Sequence, residues 1–478
     1  MRFSPTSASD DLTASGRSST SRLNDMTGRA VLFVLMLAPI PLGSNRPFFW
    51  ALWALVLGVI LCAYGFVLYR NALRLRLPFS VITGISILFA LVAIWMGLQV
   101  LPIGSVIPLP QVQSTTGYSF SFPSISLTPG DTLLALLRWL SYGVLFFLAL
   151  QASVRKQRAR RLTLFILIFV TAQAAYALVA MLYLADQVLV VEKTQYLGEA
   201  TGTFINRNTL ATYLGLGAVL AALLALPNPP LEETGVSAGP RRRSRKRSFD
   251  LSIKSNTILA MIALLILLSA IVATGSRMGL FATFCGVTTA VLLRLSSWRS
   301  RLVAVAALVV GGLAFLSIYG AGTLERMITV ERDSDSRLTL YEDTFDMIAD
   351  RPLIGFGAQS FEYAFTLYDT DPANSAFTFD KAHSTYLTHW SELGVVFGSV
   401  PILIIALIGF RLLQGRIGQG LRDTEICAAL AAIVIAAVHS IVDFSLEIEA
   451  VTFLFVTLLA MGVATAHERG RKQVNQTS

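Results

Sequence analysis

The sequence predicts an all-α, polytopic membrane protein of about 12 transmembrane helices, and three observations carry that reading. Of its 478 residues 54% are AVILMFWYC and only 14% are charged, a balance that soluble domains of this size do not show. Mean hydropathy is +0.65. Apolar runs near the length that crosses a hydrocarbon core recur from Ala30 to Ala466, a pattern that a signal peptide does not account for.

Residues 1–28 are rich in Ser, Thr, Asp and Arg without apolar periodicity and read as a disordered cytoplasmic tail. The expected spans are 30–43, 47–69, 80–103, 132–151, 162–184, 208–226, 257–274, 276–294, 301–319, 384–410, 424–442 and 450–466. They divide into an N-terminal transmembrane region, 29–200, and a second region, 201–466, that includes a long outward loop, 320–382. A short cytoplasmic tail, 467–478, follows. With both ends cytoplasmic, 28 of the 38 lysines and arginines fall on the tails and inner connections, among them the run RRRSRKR at 241–247. The positive-inside rule explains the excess of basic residues, and nucleic acid is not needed as a partner. Cys62, Cys285 and Cys427 lie inside apolar runs without metal-ligand or redox spacing and read as packing residues.

The long outward loop can fold. SRLTLYEDTFDMIADRP spaces Leu338, Tyr341, Phe345 and Ile348 by three and four, Ser336 is placed to cap the start and Pro352 to end it. This predicts an amphipathic helix at the membrane surface.

Chemistry is sought among the basic residues that violate the charge bias, because a cation near membrane depth needs a partner or a bound anion. GTFINRN puts Asn206, Arg207 and Asn208 at the outer mouth of the sixth span, where helix-start donors add to the guanidinium; the guest is a phosphate, or else Arg207 is an interfacial arginine that snorkels. TGSRMG makes a tight outward turn with Ser276 and Arg277. Two arginines from neighbouring hairpins can fork onto one diphosphate. Arg351 reads as a partner for an acid at the end of the loop helix, and Arg337 is more open. His383 begins AHSTYLTHWSELG and on a helical wheel shares a face with Tyr386, Leu387, Trp390 and Gly394, with Glu392 roughly opposite. A histidine there either removes a proton from a sugar hydroxyl or simply starts a helix. His439 and Asp443, four apart, read as a structural pair. No metal-ligand cluster is expected, and GFGAQS after Pro352 reads as turn chemistry rather than a nucleotide fingerprint.

The combination GTFINRN, TGSR, SRLTLYEDTFDMIADRPLIGFG and HSTYLTHWSELGVVFG, in that order on one face, resembles the O-antigen ligase superfamily, which includes bacterial surface-polysaccharide polymerases. The likeness runs from about Gly202 to Gly398, with a weaker echo at HSIVDFSLE. It implies a GT-C-like, metal-independent, inverting glycosyltransferase of the bacterial inner membrane that needs no cofactor and works on the periplasmic face. Its implied donor is an undecaprenyl-diphosphate-linked glycan, its acceptor a glycan or a lipid A core, and its other partners membrane lipids. The resemblance matches Arg207 and Arg277 to the family's phosphate-contacting arginines, Arg337 to its loop arginine and His383 to the histidine placed near the acceptor, which makes His383, Arg207 and Arg277 the expected catalytic residues. Asn206, Asn208 and Ser276, read from the helix mouth and the turn, and Tyr386, read from the His383 face, are expected beside Arg337 at the substrate. Many relatives have HN where this chain has HS, so Ser384 receives no role. A transporter or flippase for lipid-linked glycans shares the helix count, but would be expected to show two matching halves, which residues 30–226 and 257–466 do not.

Overall fold

The computed structural model describes residues 7–184, 186–189, 192–226, 255–295, 297–319, 331–370, 379–418 and 420–477. The chain is mostly helical, in the order α1 (Ser7–Leu37), α2 (Pro47–Arg70), α3 (Thr83–Val100), α4 (Pro129–Ser153), α5 (Lys156–Tyr183), α6 (Arg207–Ala225), α7 (Ser255–Ala273), α8 (Arg277–Arg294), α9 (Trp298–Tyr319), α10 (Glu331–Asp350), α11 (Phe361–Phe365), α12 (Thr385–Gly418), α13 (Thr424–His439) and α14 (Glu449–Thr477). A two-stranded antiparallel ribbon, β1 (Val112–Gln113) with β2 (Ser119–Phe120), pairs Val112 with Phe120 between α3 and α4. Among the described residues eight helices are long and apolar enough to cross a membrane, which is the make-up of a polytopic all-α membrane protein.

Those eight correspond to eight of the twelve expected spans. The other four coincide with the end of α1, with α8 and α9, and with α13, which is apolar but shorter. The expectation of a disordered tail fails over the described part of residues 1–28, because helix α1 runs from Ser7 and buries Thr20, Ser21, Asn24 and Thr27. Its polar residues find partners inside the bundle: the Tyr64 hydroxyl donates to Asn24 Oδ1 at 3.0 Å. Composition alone could not see that. The run at 241–247 lies outside the described residues.

Helices α6 and α14 form the centre, with 83% and 78% of their apolar windows buried, against 17–22% for α2, α3 and α7 at the periphery. Small residues permit this: at Gly279 of α8 a Cβ would overlap Ala211 of α6, so the two backbones approach closely.

The two ends of the bundle differ in chemistry. At one end Arg155 Nη1 donates to Ser21 Oγ at 2.5 Å, Arg416 Nε to the Leu293 carbonyl at 2.8 Å, and Arg469 forks onto Asp423 at 3.1 and 2.6 Å. This end gathers the basic connections. At the other end the Thr203 hydroxyl donates to the Pro39 carbonyl at 2.7 Å, Ala200 N to Ala273 O at 2.8 Å and Thr385 N to Ser440 O at 3.1 Å.

A second core caps that far end, where Leu340, Met347 and Ile348 of α10 pack with Phe356, Phe361, Phe365 and Tyr368. The loop helix therefore exists, but differs from the expected one. Its described part begins at Glu331, so Ser336 lies inside the helix rather than capping its start. Leu340, Met347 and Ile348 are its buried face, so of the expected stripe Ile348 is buried and Tyr341 half-buried, while Leu338 and Phe345 are exposed. The period was right, but the helix packs on protein through only part of that stripe, Tyr341 and Ile348.

Candidate functional site

The sixth helix begins under its own cap: Asn206 Oδ1 accepts from Asn208 N at 2.7 Å, which fixes Arg207 as the first helical residue. The eighth begins the same way, Ser276 Oγ accepting from Gly279 N at 3.1 Å and Thr274 Oγ1 from Ser276 N at 3.1 Å. Because α6 and α8 pack side by side, the two arginine-bearing starts are neighbours. Gly275, at φ 65°, faces Arg207 so closely that a Cβ there would lie 3.3 Å from Nη1. Arg277 is exposed and Arg207 half-buried. Arg207 does not simply snorkel. Its Nη1 is paired with Glu199, its guanidinium lies 5.3 Å from the Tyr196 ring centre, and its Nε has no hydrogen-bond partner among the described residues.

His383 does not begin a helix. It sits just before α12 at φ 49°, in the left-handed region, so the wheel that grouped it with Tyr386 does not apply to it. Its carbonyl accepts from the Tyr341 hydroxyl at 3.2 Å, and its ring meets Phe444 edge-on at 5.1 Å. Tyr386 instead donates to the Ala437 carbonyl of α13 at 3.0 Å, a helix-to-helix contact. The helix holding Arg337 is described, but the Arg337 side chain lies outside the described residues.

The turn after α13 joins these groups. Asn208 Nδ2 donates to Asp443 Oδ1 at 3.3 Å, and Thr212 Oγ1 lies 2.8 Å from His439 Nδ1. His439 Nδ1 is 3.5 Å from Asp443 Oδ2, the structural pairing that their spacing suggests, and Ser445 N donates to the same Oδ2 at 2.8 Å. On its other side the turn holds α12, the Asp443 carbonyl accepting from Thr385 Oγ1 at 3.2 Å and the Ser440 carbonyl from Ser384 Oγ at 3.2 Å. One buried residue thus touches the helix start that carries Arg207 and the segment that carries His383.

Sequence reasoning singles out Arg138, Lys381 and Arg351 around this site as basic residues that violate the charge bias, and passes over their neighbours. Glu199 was not singled out, although an acid eight residues before an isolated outward arginine was a readable signal. Lys381 is buried and 3.4 Å from Glu447 Oε2; burial pushes the Glu447 carboxyl up to about 7 against the pull of Lys381. Arg138 donates to Gln359 Oε1 at 3.0 Å and lies over Trp50. Among the described residues Arg351 makes no ion pair with an acid at the end of its helix. It is buried, donates to the carbonyls of Ile125 and Pro110 at 3.3 and 2.6 Å, and so pins the segment between α3 and α4. GFGAQS is more than a turn: Phe356 N and Gly357 N donate to the carbonyls of Ser391 and Glu392 at 3.0 and 2.9 Å, filling the break that Gly394 makes in α12. Gln99 of α3 seals the break, donating to the Ile354 and Glu392 carbonyls at 2.9 Å. Among the described residues, no group of three or more His, Cys, Asp or Glu is disposed to hold a metal ion.

Residues 262–403 match the family described as O-Antigen ligase. The matched stretch includes Arg277, Arg337 and His383 and stops short of Arg207 and the turn at Asp443. No curated protein matches the chain.

Proposed function

We propose that this polytopic membrane protein, residues 262–403 of which match the family described as O-Antigen ligase, is a glycosyltransferase of the ligase or polymerase type, which transfers undecaprenyl-diphosphate-linked glycan to a glycan or lipid A-core acceptor on the periplasmic face of the inner membrane. The observation that carries the reading is the contact network through Asp443, which ties the helix start of Arg207 to the segment of His383.

The chemistry needs those two ends in one place. As the glycosidic bond to the lipid diphosphate breaks, negative charge grows on the leaving oxygens, and two guanidiniums beside it stabilise that charge without deprotonating. His383 orients or deprotonates the acceptor hydroxyl on the opposite side of the anomeric carbon, and a single displacement there inverts the configuration. Asn206 and Ser276 act by capping, leaving the free N–H groups of their helix starts to the phosphates. Arginines supply the electrostatics, so no metal is required. Glu199 holds Arg207 when no diphosphate is there. Twelve spans with both ends cytoplasmic put the basic end of the bundle inside and this site outside.

The test is the purified protein in nanodiscs with lipid-linked glycan and acceptor. Lengthened lipid-linked glycan, or glycan transferred to the lipid A core, in excess chelator supports the reading. Unaltered substrate there, together with its passage across the bilayer of sealed vesicles, would identify a transporter instead.

A further inference from the structure

At the basic end, remote from the site above, a cavity of about 210 Å³ opens between α1 and α5. Its charged lining is Arg29, Arg158 and Arg161 against the one carboxylate of Asp25. Arg29 and Arg161 stand exposed at its mouth, while Arg158 is 6% exposed and lies at its floor.

A buried guanidinium needs its five N–H groups satisfied, and Arg158 falls short of that. Nε lies 3.4 Å from Asp25 Oδ1 and Nη1 donates to the Ser21 carbonyl at 3.4 Å, both long; Nη2 has no hydrogen-bond partner among the described residues. Three cations against one anion, with an unmet donor at the floor, make a receptor for a doubly coordinated oxyanion. The rest of the lining says which one. Leu32, Leu162 and Phe165 continue the cavity, and from Phe165 the exposed apolar face of α5 runs on through Ile168. A free phosphate has no use for that face, whereas a phospholipid seats its phosphate on the arginines and lays an acyl chain along Phe165 and Ile168.

We propose that this cavity binds the phosphate of an anionic phospholipid. It does not rest on the enzymatic reading, since it lies at the opposite end of the bundle.

The experiment is native mass spectrometry of the detergent-purified protein with phosphatidylglycerol, phosphatidylethanolamine or inorganic phosphate added. Phosphatidylglycerol should be retained in preference to phosphatidylethanolamine. The double variant Arg29→Gln/Arg161→Gln, at exposed positions that leave folding intact, should lower its retention by about 10- to 30-fold, at roughly 1 kcal/mol for each arginine lost. Arg158→Lys, which keeps the charge but not the fork, should lose part of it. Equal retention of the two lipids, or undiminished retention by the double variant, would overturn the proposal. Displacement of phosphatidylglycerol by inorganic phosphate at equal concentration would also overturn it, by marking a free-anion site.

Discussion

The Asn208 side-chain amide donates to Asp443 Oδ1 at 3.3 Å across 235 residues of chain. Asp443 is 1% exposed and Asn208 half-buried, so the bond is partly shielded from water and joins two elements that the sequence holds far apart. Asn208→Ala and Asp443→Asn should each slow glycan transfer by roughly 10- to 100-fold, because a shift of about 1 Å between reacting groups is enough for that. The double variant should be little worse than either single, as expected of groups in one network. Additive losses would separate the two residues.

Glu199 pairs with Arg207 at the outer mouth of α6. A diphosphate must displace this carboxylate to engage the guanidinium, so Glu199→Gln should lower the KM for the lipid-linked donor several-fold and change kcat less. Steady-state kinetics over a donor series decides it. A raised KM would mean that Glu199 positions Arg207 for the donor rather than competing with it.

The break in α12 depends on Gly394, whose φ of 77° and ψ of 160° suit glycine alone. A Cβ there would overlap the Leu353 carbonyl. Gly394→Ala should cost about 2 kcal/mol or more and lower the melting temperature in detergent by several degrees. Gly58→Ala, where nothing lies within 4 Å, is the control and should hold or raise it.

Glu447 gives the stability a pH dependence. Its carboxyl is raised from the usual 4.5 to about 7, first by burial, so the folded state holds a proton that the unfolded state has released. That contribution is fully present below about pH 4.5 and is lost as pH rises through about 7. Melting temperature in detergent should therefore fall across this window, and Glu447→Gln should flatten the fall. An unchanged slope in the variant would assign it to another group.

Much of this was legible in the sequence, because hydropathy and charge bias act locally. Eight expected spans are helices of the right length; Asn206 and Ser276, expected at the substrate, cap their helix starts instead. What the sequence hid is set by packing at long range. Asn24 and Thr20 look like tail residues until α1 buries them, and Arg351 looks like half of a surface pair until the Ile125 and Pro110 carbonyls surround it. His383 misled the wheel, since a wheel assumes a helix and this residue precedes one. The Asp443 turn drew attention only as a local pair, because nothing in HSIVDFSLE announces that Asn208 is its partner.

The most direct test of the account is transfer by purified His383→Ala protein, with binding of the lipid-linked donor measured in parallel. If the arginines hold the diphosphate and His383 serves the acceptor, donor binding should stay near that of the wild type while transfer falls by roughly 10²- to 10⁴-fold. A well-folded His383→Ala protein that transfers glycan at the wild-type rate would contradict it.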